Sequence, residues 1–423
     1  MNDGIGLKLG WAALCIFLAV ALVLFLLQYK PSNTGAGRGK KTDEDTASLN
    51  VKSVVTTFRG DPRTSRAFTW YSETKLAGIL QMAKGNAPDA FDSETTVIYE
   101  AQTTIVNTKK DGKQYSHKVE VTGLEPGSEY IYRIGEGKEG EWSNAAVIRT
   151  EGVEEETFTF LNVTDSQGVS KKDFAVWGRS LDSAFAQFPD ASWILHNGDL
   201  TEDPTDEKAW DYFFGIPSDW LSRLPLMPVT GNHDEIAGES DRFTAHFYVP
   251  DNGEQNSNPG TTYSFDYGHA HIVVLNTESS LKQQTAWLKQ DLENTDQTWL
   301  IAAIHRPAYG GNMYKKLDDW IAVFDEYGVD LVLQGHNHEY SRSFPLRGGE
   351  IVQPEEGTVY VTTNASGRKF NEKKEDQFYH AVHFQNGQPM YAGITVSEDT
   401  LTYQAFDIEG KLLDGFVLDN RKK

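Results

Sequence analysis

The chain has almost no cysteine: one in 423 residues, Cys15. No intrachain disulfide and no thiolate metal site can be built from it. It is also short of positive charge. Lys and Arg total 39 against 61 Asp and Glu, for a net charge of −22. Such a surface repels polyphosphate backbones, which argues against a nucleic-acid binder. An anionic substrate must then be drawn in by local cations or arginines. There is no internal repeat, and only one long apolar run. Residues Leu9 to Tyr29 carry no charged side chain, and about 20 apolar residues are enough to span a bilayer as a helix. The run exceeds the apolar core of a usual signal peptide and ends in Leu-Leu-Gln-Tyr-Lys rather than small residues. The reading is therefore an uncleaved N-terminal anchor over residues 1–30, with secretion after signal cleavage as the alternative.

Lys30, Arg38, Lys40 and Lys41 follow this run and only Lys8 precedes it. Taken literally, the positive-inside rule would hold the body in the cytoplasm. The acidic, cysteine-free body instead suggests export, so an extracellular catalytic body is expected. Residues 31–50 are rich in Gly, Ser, Thr and charge without apolar periodicity, and form the expected flexible linker.

What is present is aromatic and strand-forming: 10 Trp, 18 Tyr and 22 Phe. From residue 51 to 151 short runs such as Ala67-Phe68-Thr69-Trp70-Tyr71 and Tyr130-Ile131-Tyr132 alternate with turn residues. After the acidic hinge Glu151 to Glu156, strands alternate with helices. Strands are expected at Phe158–Val163, Ser192–His196, Thr298–Ile304 and Asp330–Leu333, and helices at Phe174–Phe188, Thr205–Phe214 and Leu317–Tyr327. A hairpin is expected around Tyr267-Gly268-His269, and strands again from Thr358 and from Met390 to Leu418.

Five short segments end or follow these strands: Thr164-Asp165-Ser166-Gln167-Gly168, Asn197-Gly198-Asp199-Leu200, Gly231-Asn232-His233-Asp234, Ile304-His305-Arg306-Pro307 and Gly335-His336-Asn337-His338. Alone, each has a bland reading. Asp165 could cap a helix, Asn197-Gly198-Asp199 could be a turn, and the last two histidines could be solvated. Together they place Asp, Asn and His where an α/β sheet builds sites. Their mixed N/O chemistry suits divalent Fe, Mn or Zn rather than Ca. Two metals need a bridging carboxylate, and Asp199 is the natural candidate. His246, His269, His271, His380 and His383 have no ligand-like context.

Residues 158–345 resemble the calcineurin-like metallophosphoesterases, and with the N-terminal β-region the chain is similar to purple acid phosphatases. The stretch Val121 to Tyr132, with its Leu124-Glu125-Pro126-Gly127 turn, resembles fibronectin type III domains. The resemblance implies an all-β sandwich over 51–151 and, over 152–423, an α/β catalytic domain of four αββα layers. It implies two divalent metal ions: Asp165, Asp199 and His338 around the first, and Asp199, Asn232, His305 and His336 around the second. His233 would act on the phosphoryl group, with Asp234 and Glu202 completing the catalytic set. Glu202 stands where purple acid phosphatases have the tyrosine that colours iron, so a colourless enzyme is expected. Gln167 replaces a familiar histidine, and either it or Glu202 could complete the first site through oxygen. Alternatively Glu202 could orient His233.

The chemistry is dictated by charge. A water shared by two cations loses its proton near neutrality, and the cations clamp the phosphoryl oxygens for in-line displacement. Arg306 and Arg342 are candidate phosphate contacts by proximity in sequence. Phosphomonoester hydrolysis is the leading expectation. A phosphodiesterase or nucleotidase is the alternative within the same chemistry, and a surface binding protein with a degenerate catalytic domain is the alternative outside it.

Overall fold

The computed structural model describes residues 50–420, apart from 76–77, 109–111, 137–140, 154–155 and 237. The expected anchor over 1–30 and nearly all of the expected linker lie outside the described residues. Among those described, no helix is long and apolar enough to cross a membrane.

The first hundred described residues form two antiparallel four-stranded sheets. One has the order Val51–Thr57, Ser65–Ser72, Lys113–Thr122, Gln102–Asn107, and the other Val97–Glu100, Ile79–Lys84, Glu129–Gly135, Ala146–Arg149. Their inner faces meet through Phe68, Trp70, Val119 and Val121 on one side and Leu80, Met82, Tyr132 and Ile134 on the other. The Phe68 and Tyr132 rings sit edge-on, 4.8 Å apart, a favourable aromatic geometry. The Tyr130 hydroxyl accepts from the Glu125 amide at 2.8 Å, which fastens the Pro126-Gly127 turn to the strand after it.

The sandwich shares a core with the downstream part of the chain. Phe58 inserts its ring among Trp193, Phe265 and Tyr267 at 5.5–6.2 Å. Tyr132 donates its hydroxyl to the Ser222 carbonyl, and Lys52 pairs with Asp211 at 2.8 Å.

The remaining chain makes two facing mixed sheets. The six-stranded sheet runs Leu226–Pro228, Trp193–His196, Thr157–Val163, Met390–Ser397, Thr400–Asp407, Leu412–Asp419. The seven-stranded sheet runs Tyr263–Tyr267, Ala270–Val274, Trp299–Ala303, Leu331–Gln334, Val359–Thr362, Tyr340–Ser343, His380–Phe384. Period-two alternation sorts the residues. Ile272, Val274, Ile301, Ala303, Leu331 and Leu333 face the other sheet. Val273, Leu300, Ala302 and Val332 face outward, where helices Leu281–Glu293 and Asp318–Tyr327 cover them with Leu288, Leu292, Val323 and Phe324. Helix Lys171–Gln187 covers the opposite side. Its Ser170–Asp173 capping box closes the first turn, and Phe174, Trp177 and Leu181 are buried beneath it. Four layers, helix–sheet–sheet–helix, result.

The edge of the seven-stranded sheet carries a testable cluster of three charged groups. His271 Nδ1 lies 2.6 Å from Asp266 and its Nε2 2.8 Å from Asp291. Burial disfavours the imidazolium, but the two carboxylates outweigh it and raise the pKa to about 9. The unfolded value is about 6.5. The stabilisation is therefore complete below that value and is lost as pH rises through about 9. Between about pH 6 and pH 10, unfolding stability should fall by at most about 3 kcal/mol from this residue. His271→Gln should flatten that part of the profile in urea titrations. An equally steep decline in the variant would exclude His271 as its source.

Candidate metal centre

The five motifs leave the carboxyl ends of parallel strands from both sheets. Asn197 ties the sheets together there, its amide donating to Ile304 O at 3.1 Å and Leu333 O at 2.8 Å. Local backbone is strained at the centre. Four of the six described non-glycine residues with left-handed φ are Asp165 (50°), Asp199 (55°), His336 (71°) and His338 (52°). Each costs on the order of 1 kcal/mol or more and persists only where surroundings enforce it. Close approach fixes the neighbouring glycines: a Cβ on Gly231 would lie 2.3 Å from Asp199 Oδ1, and one on Gly335 2.2 Å from Thr164 Oγ1.

Two donor groups result, Asp165–Asp199–His338 and Asp199–His305–His336, with ligand atoms in each within 4.8 Å of one another. They share Asp199. His305 donates Nδ1–H to Asn197 O at 2.7 Å, which turns its Nε2 to Asp199 Oδ2 at 3.2 Å. His338 likewise donates Nδ1–H to Lys369 O at 2.7 Å and presents Nε2 to Asp165 Oδ1 at 3.1 Å. A lone pair facing a carboxylate needs a cation between them, either a proton or a metal ion. The charges obey that need. Burial opposes ionisation of Asp165 and Asp199, yet His338 and His305 hold both below the usual carboxylate range. Burial likewise opposes charge on His305, but Asp199 and Asp165 raise its pKa to about 10. His336 is different, lowered to about 3 chiefly by burial, and stays a neutral donor. The buried atoms Asp165 Oδ1, Asn232 Oδ1, His305 Nε2 and both amide atoms of Gln167 have no hydrogen-bond partner. A mixed N/O set with such orphans fits two divalent cations.

The other expected residues divide. His233 is half-buried. Its backbone N–H binds Asp199 Oδ1 at 2.8 Å and its Nδ1–H donates to the Glu202 carbonyl at 2.8 Å. The Glu202 carboxylate stands 3.8 Å from His233 and is drawn to Lys369 Nζ at 3.4 Å. It joins neither donor group, so orientation of His233 falls to the Glu202 main chain rather than to its charge. Asp234 is fully buried and accepts from Asp199 N (2.7 Å), Gly231 N (2.9 Å) and Leu200 N (3.0 Å). It positions the Asp199 loop. Burial first, then the Asp199 charge, raise its pKa to about 8.

Arg306 lies at the centre, forked onto Glu278 (2.8 and 3.0 Å) with Nη1 donating to His336 Nε2 at 3.2 Å. Arg342 does not join it. Its guanidinium is forked onto Asp414 at 2.7 and 3.1 Å and lies over the Phe416 ring, which ties the two sheets together. Sequence proximity to the last motif misplaced it.

Four contributors escaped the sequence reading. Thr164 donates to Asp165 Oδ2 at 2.6 Å, and Asn197 bridges the two sheets. Both stand inside the five motifs. Glu278 and Lys369 sit in loops without a pattern, and nothing in the sequence pointed to them.

Residues 158–340 match the calcineurin-like phosphoesterase family, and residues 51–150 match the purple acid phosphatase N-terminal domain. Mouse acid phosphatase type 7 is 25% identical over 411 residues, covering 85% of this chain and 84% of that protein. Purple acid phosphatase 15 of Arabidopsis thaliana is 28% identical, covering 60% of this chain and 54% of its own. The purple acid phosphatase structure from yellow lupin seeds superposes with a TM-score of 0.75 at 16% identity, over 88% of this chain and 74% of that one.

Proposed function

We propose that this chain, which belongs to the calcineurin-like phosphoesterases and carries a purple acid phosphatase N-terminal domain, hydrolyses phosphate monoesters at two metal positions sharing Asp199. The protein is a metallophosphoesterase. The observation that carries the finer reading is the pair of donor groups with one carboxylate in common. Asp165, Asp199 and His338 would hold one ion with Gln167 alongside. Asp199, Asn232, His305 and His336 would hold the other. When bound, two divalent ions supply Lewis acidity and an activated water.

The chain's own residues do the rest. With Nδ1–H committed to the Glu202 carbonyl, the ring of His233 is fixed and its Nε2 is left to serve the leaving oxygen. Arg306, held by both Glu278 oxygens, offers a preset positive charge beside His336 for a phosphoryl oxygen. The Thr164 hydroxyl and the His336 amide both donate to Asp165 Oδ2, which leaves Oδ1 to face His338.

The test uses the full-length chain in mild non-ionic detergent, stripped with a chelator. Mn, Fe, Zn or Mg is then added back, with a chromogenic monoester and its bis-ester as substrates. Metal-restored monoester turnover is expected to exceed bis-ester turnover, and the iron-loaded enzyme should show no visible charge-transfer band. Faster bis-ester turnover would replace this reading with a phosphodiesterase. No turnover with any metal would leave a binding protein.

A further inference from the structure

Between the fourth motif and helix Asp318–Tyr327 the chain reads Pro307-Ala308-Tyr309-Gly310-Gly311-Asn312-Met313-Tyr314. Two adjacent glycines mark a loop, yet buried side chains hold it at successive residues. Gln334 accepts from Ala308 N at 2.7 Å and donates to the Tyr309 carbonyl at 2.8 Å. Tyr379 donates its hydroxyl to the Gly310 carbonyl at 2.7 Å. Asn337, between His336 and His338, accepts from Asn312 N at 3.1 Å. Tyr314 N then closes the loop on the Pro307 carbonyl at 2.8 Å. A loop fastened in this way delivers a side chain to a fixed place, and the side chain it brings back to Arg306 is Tyr314.

The half-buried Tyr314 ring lies against the guanidinium. Arg306 Cζ stands over its face, 5.2 Å from the centroid, within the range at which a ring attracts a cation. Lys316 Nζ stands over the same ring at 5.7 Å. The ring answers a need of Arg306. Glu278 grips Nε and Nη2 at 2.8 and 3.0 Å, which are two contacts along one edge. Such a fork still lets the group swing about the line joining them. Glu278 itself is fixed, its Oε1 accepting from Thr277 Oγ1 at 2.9 Å and its amide donating to Asn276 Oδ1 at 2.8 Å. The freedom that remains is the swing, and it would move Nη1, the nitrogen beside His336.

We propose that Tyr314 is a positioning residue for phosphate binding. Its ring stops the swing and keeps Arg306 Nη1 beside His336, a role that rests on Arg306 being the phosphoryl contact. A phosphoryl oxygen is charged in substrate, transition state and product alike, so the contact is made in all three. Loosening it costs binding in each and leaves turnover at saturation nearly unchanged. Tyr314 also packs against the core beneath helix Asp318–Tyr327, a role any apolar side chain of similar size can fill. Holding a cation requires the ring.

The test measures binding and turnover separately, in full-length chain loaded with metal. Inorganic phosphate is titrated calorimetrically, and kcat and KM are taken with the chromogenic monoester, for wild type, Tyr314→Ala, Tyr314→Leu and Tyr314→Phe. Alanine and leucine are each expected to weaken phosphate binding about five-fold and to raise KM by a similar factor, with kcat within about two-fold. Phenylalanine, which keeps the ring, should restore both to within about two-fold of wild type. Leucine performing as well as phenylalanine would reduce Tyr314 to packing and overturn the proposal, as would alanine with unchanged phosphate affinity. Arg306→Gln is run in parallel. If it weakens phosphate binding and Tyr314→Ala does not, only the role of Tyr314 falls. If Arg306→Gln binds phosphate as wild type does, Arg306 is not the phosphoryl contact and both roles fall.

Discussion

Asp199→Asn is expected to lower monoester turnover by more than about a thousand-fold, equivalent to roughly 4 kcal/mol of transition-state stabilisation. The expectation rests on one residue belonging to both donor groups. An amide keeps the side chain's shape but loses the charge that holds His305 protonated or metal-bound. It also offers one oxygen where two are used: Oδ2 faces His305 at 3.2 Å and Oδ1 accepts from His233 N at 2.8 Å. If the amide nitrogen takes the Oδ1 position, it meets the His233 N–H donor to donor. The variant should therefore bind metal poorly and also disturb the His233 loop. The checks are kcat/KM with a saturating metal and metal content after gel filtration. Turnover within tenfold of wild type would remove Asp199 from the centre of the mechanism.

Asp234→Ala should lose about 3–5 kcal/mol of stability, the second largest effect expected. Three buried backbone N–H groups, of Asp199, Leu200 and Gly231, all donate to this carboxylate. Deleting it orphans all three at a cost of about 1–3 kcal/mol each, partly relieved by relaxation. Asp234→Asn should cost less. Its carbonyl in the Oδ2 position can still accept from Asp199 and Gly231, while its amide nitrogen meets the Leu200 N–H donor to donor. It also removes the charge that Asp199 opposes, the same opposition that helps lift Asp234 to about 8. Urea unfolding of metal-stripped wild type and both variants separates these effects. An alanine variant as stable as the asparagine one would show that the loop does not depend on those three bonds.

The strand ends and their ligands were legible because short runs apolar on both faces and short polar motifs are local. Trp193–His196, Trp299–Ala303 and Leu331–Gln334 lie within a residue or so of where the apolar runs placed them. Helix Leu281–Glu293 was not legible. Its buried face carries Gln284, fully enclosed and bonded to Thr262 and to Asn276, where a periodic pattern calls for an apolar residue. The strand of His380 and His383 was hidden by its bulge, which breaks the two-residue period. Arg342 was misread because nearness in sequence says nothing about which way a strand side chain leans, and its partner Asp414 is 72 residues away. Glu202 does stand beside His233, but the contact that orients the ring is made by its main-chain carbonyl, a group with no sequence signature, rather than by its carboxylate.

Phe58 bears on how this architecture could have arisen and how far it can be cut. The residue belongs to the upstream sandwich segment, yet its ring is buried with Trp193, Phe265 and Tyr267 of the downstream sheets. The border between the two matched families falls near residue 150, but the physical border does not. An ancestor that shed the upstream module would have had to resurface those three aromatic rings at once. The sandwich is therefore less a detachable accessory than a plug, and a chain cut at the family border would lose the ring that covers them.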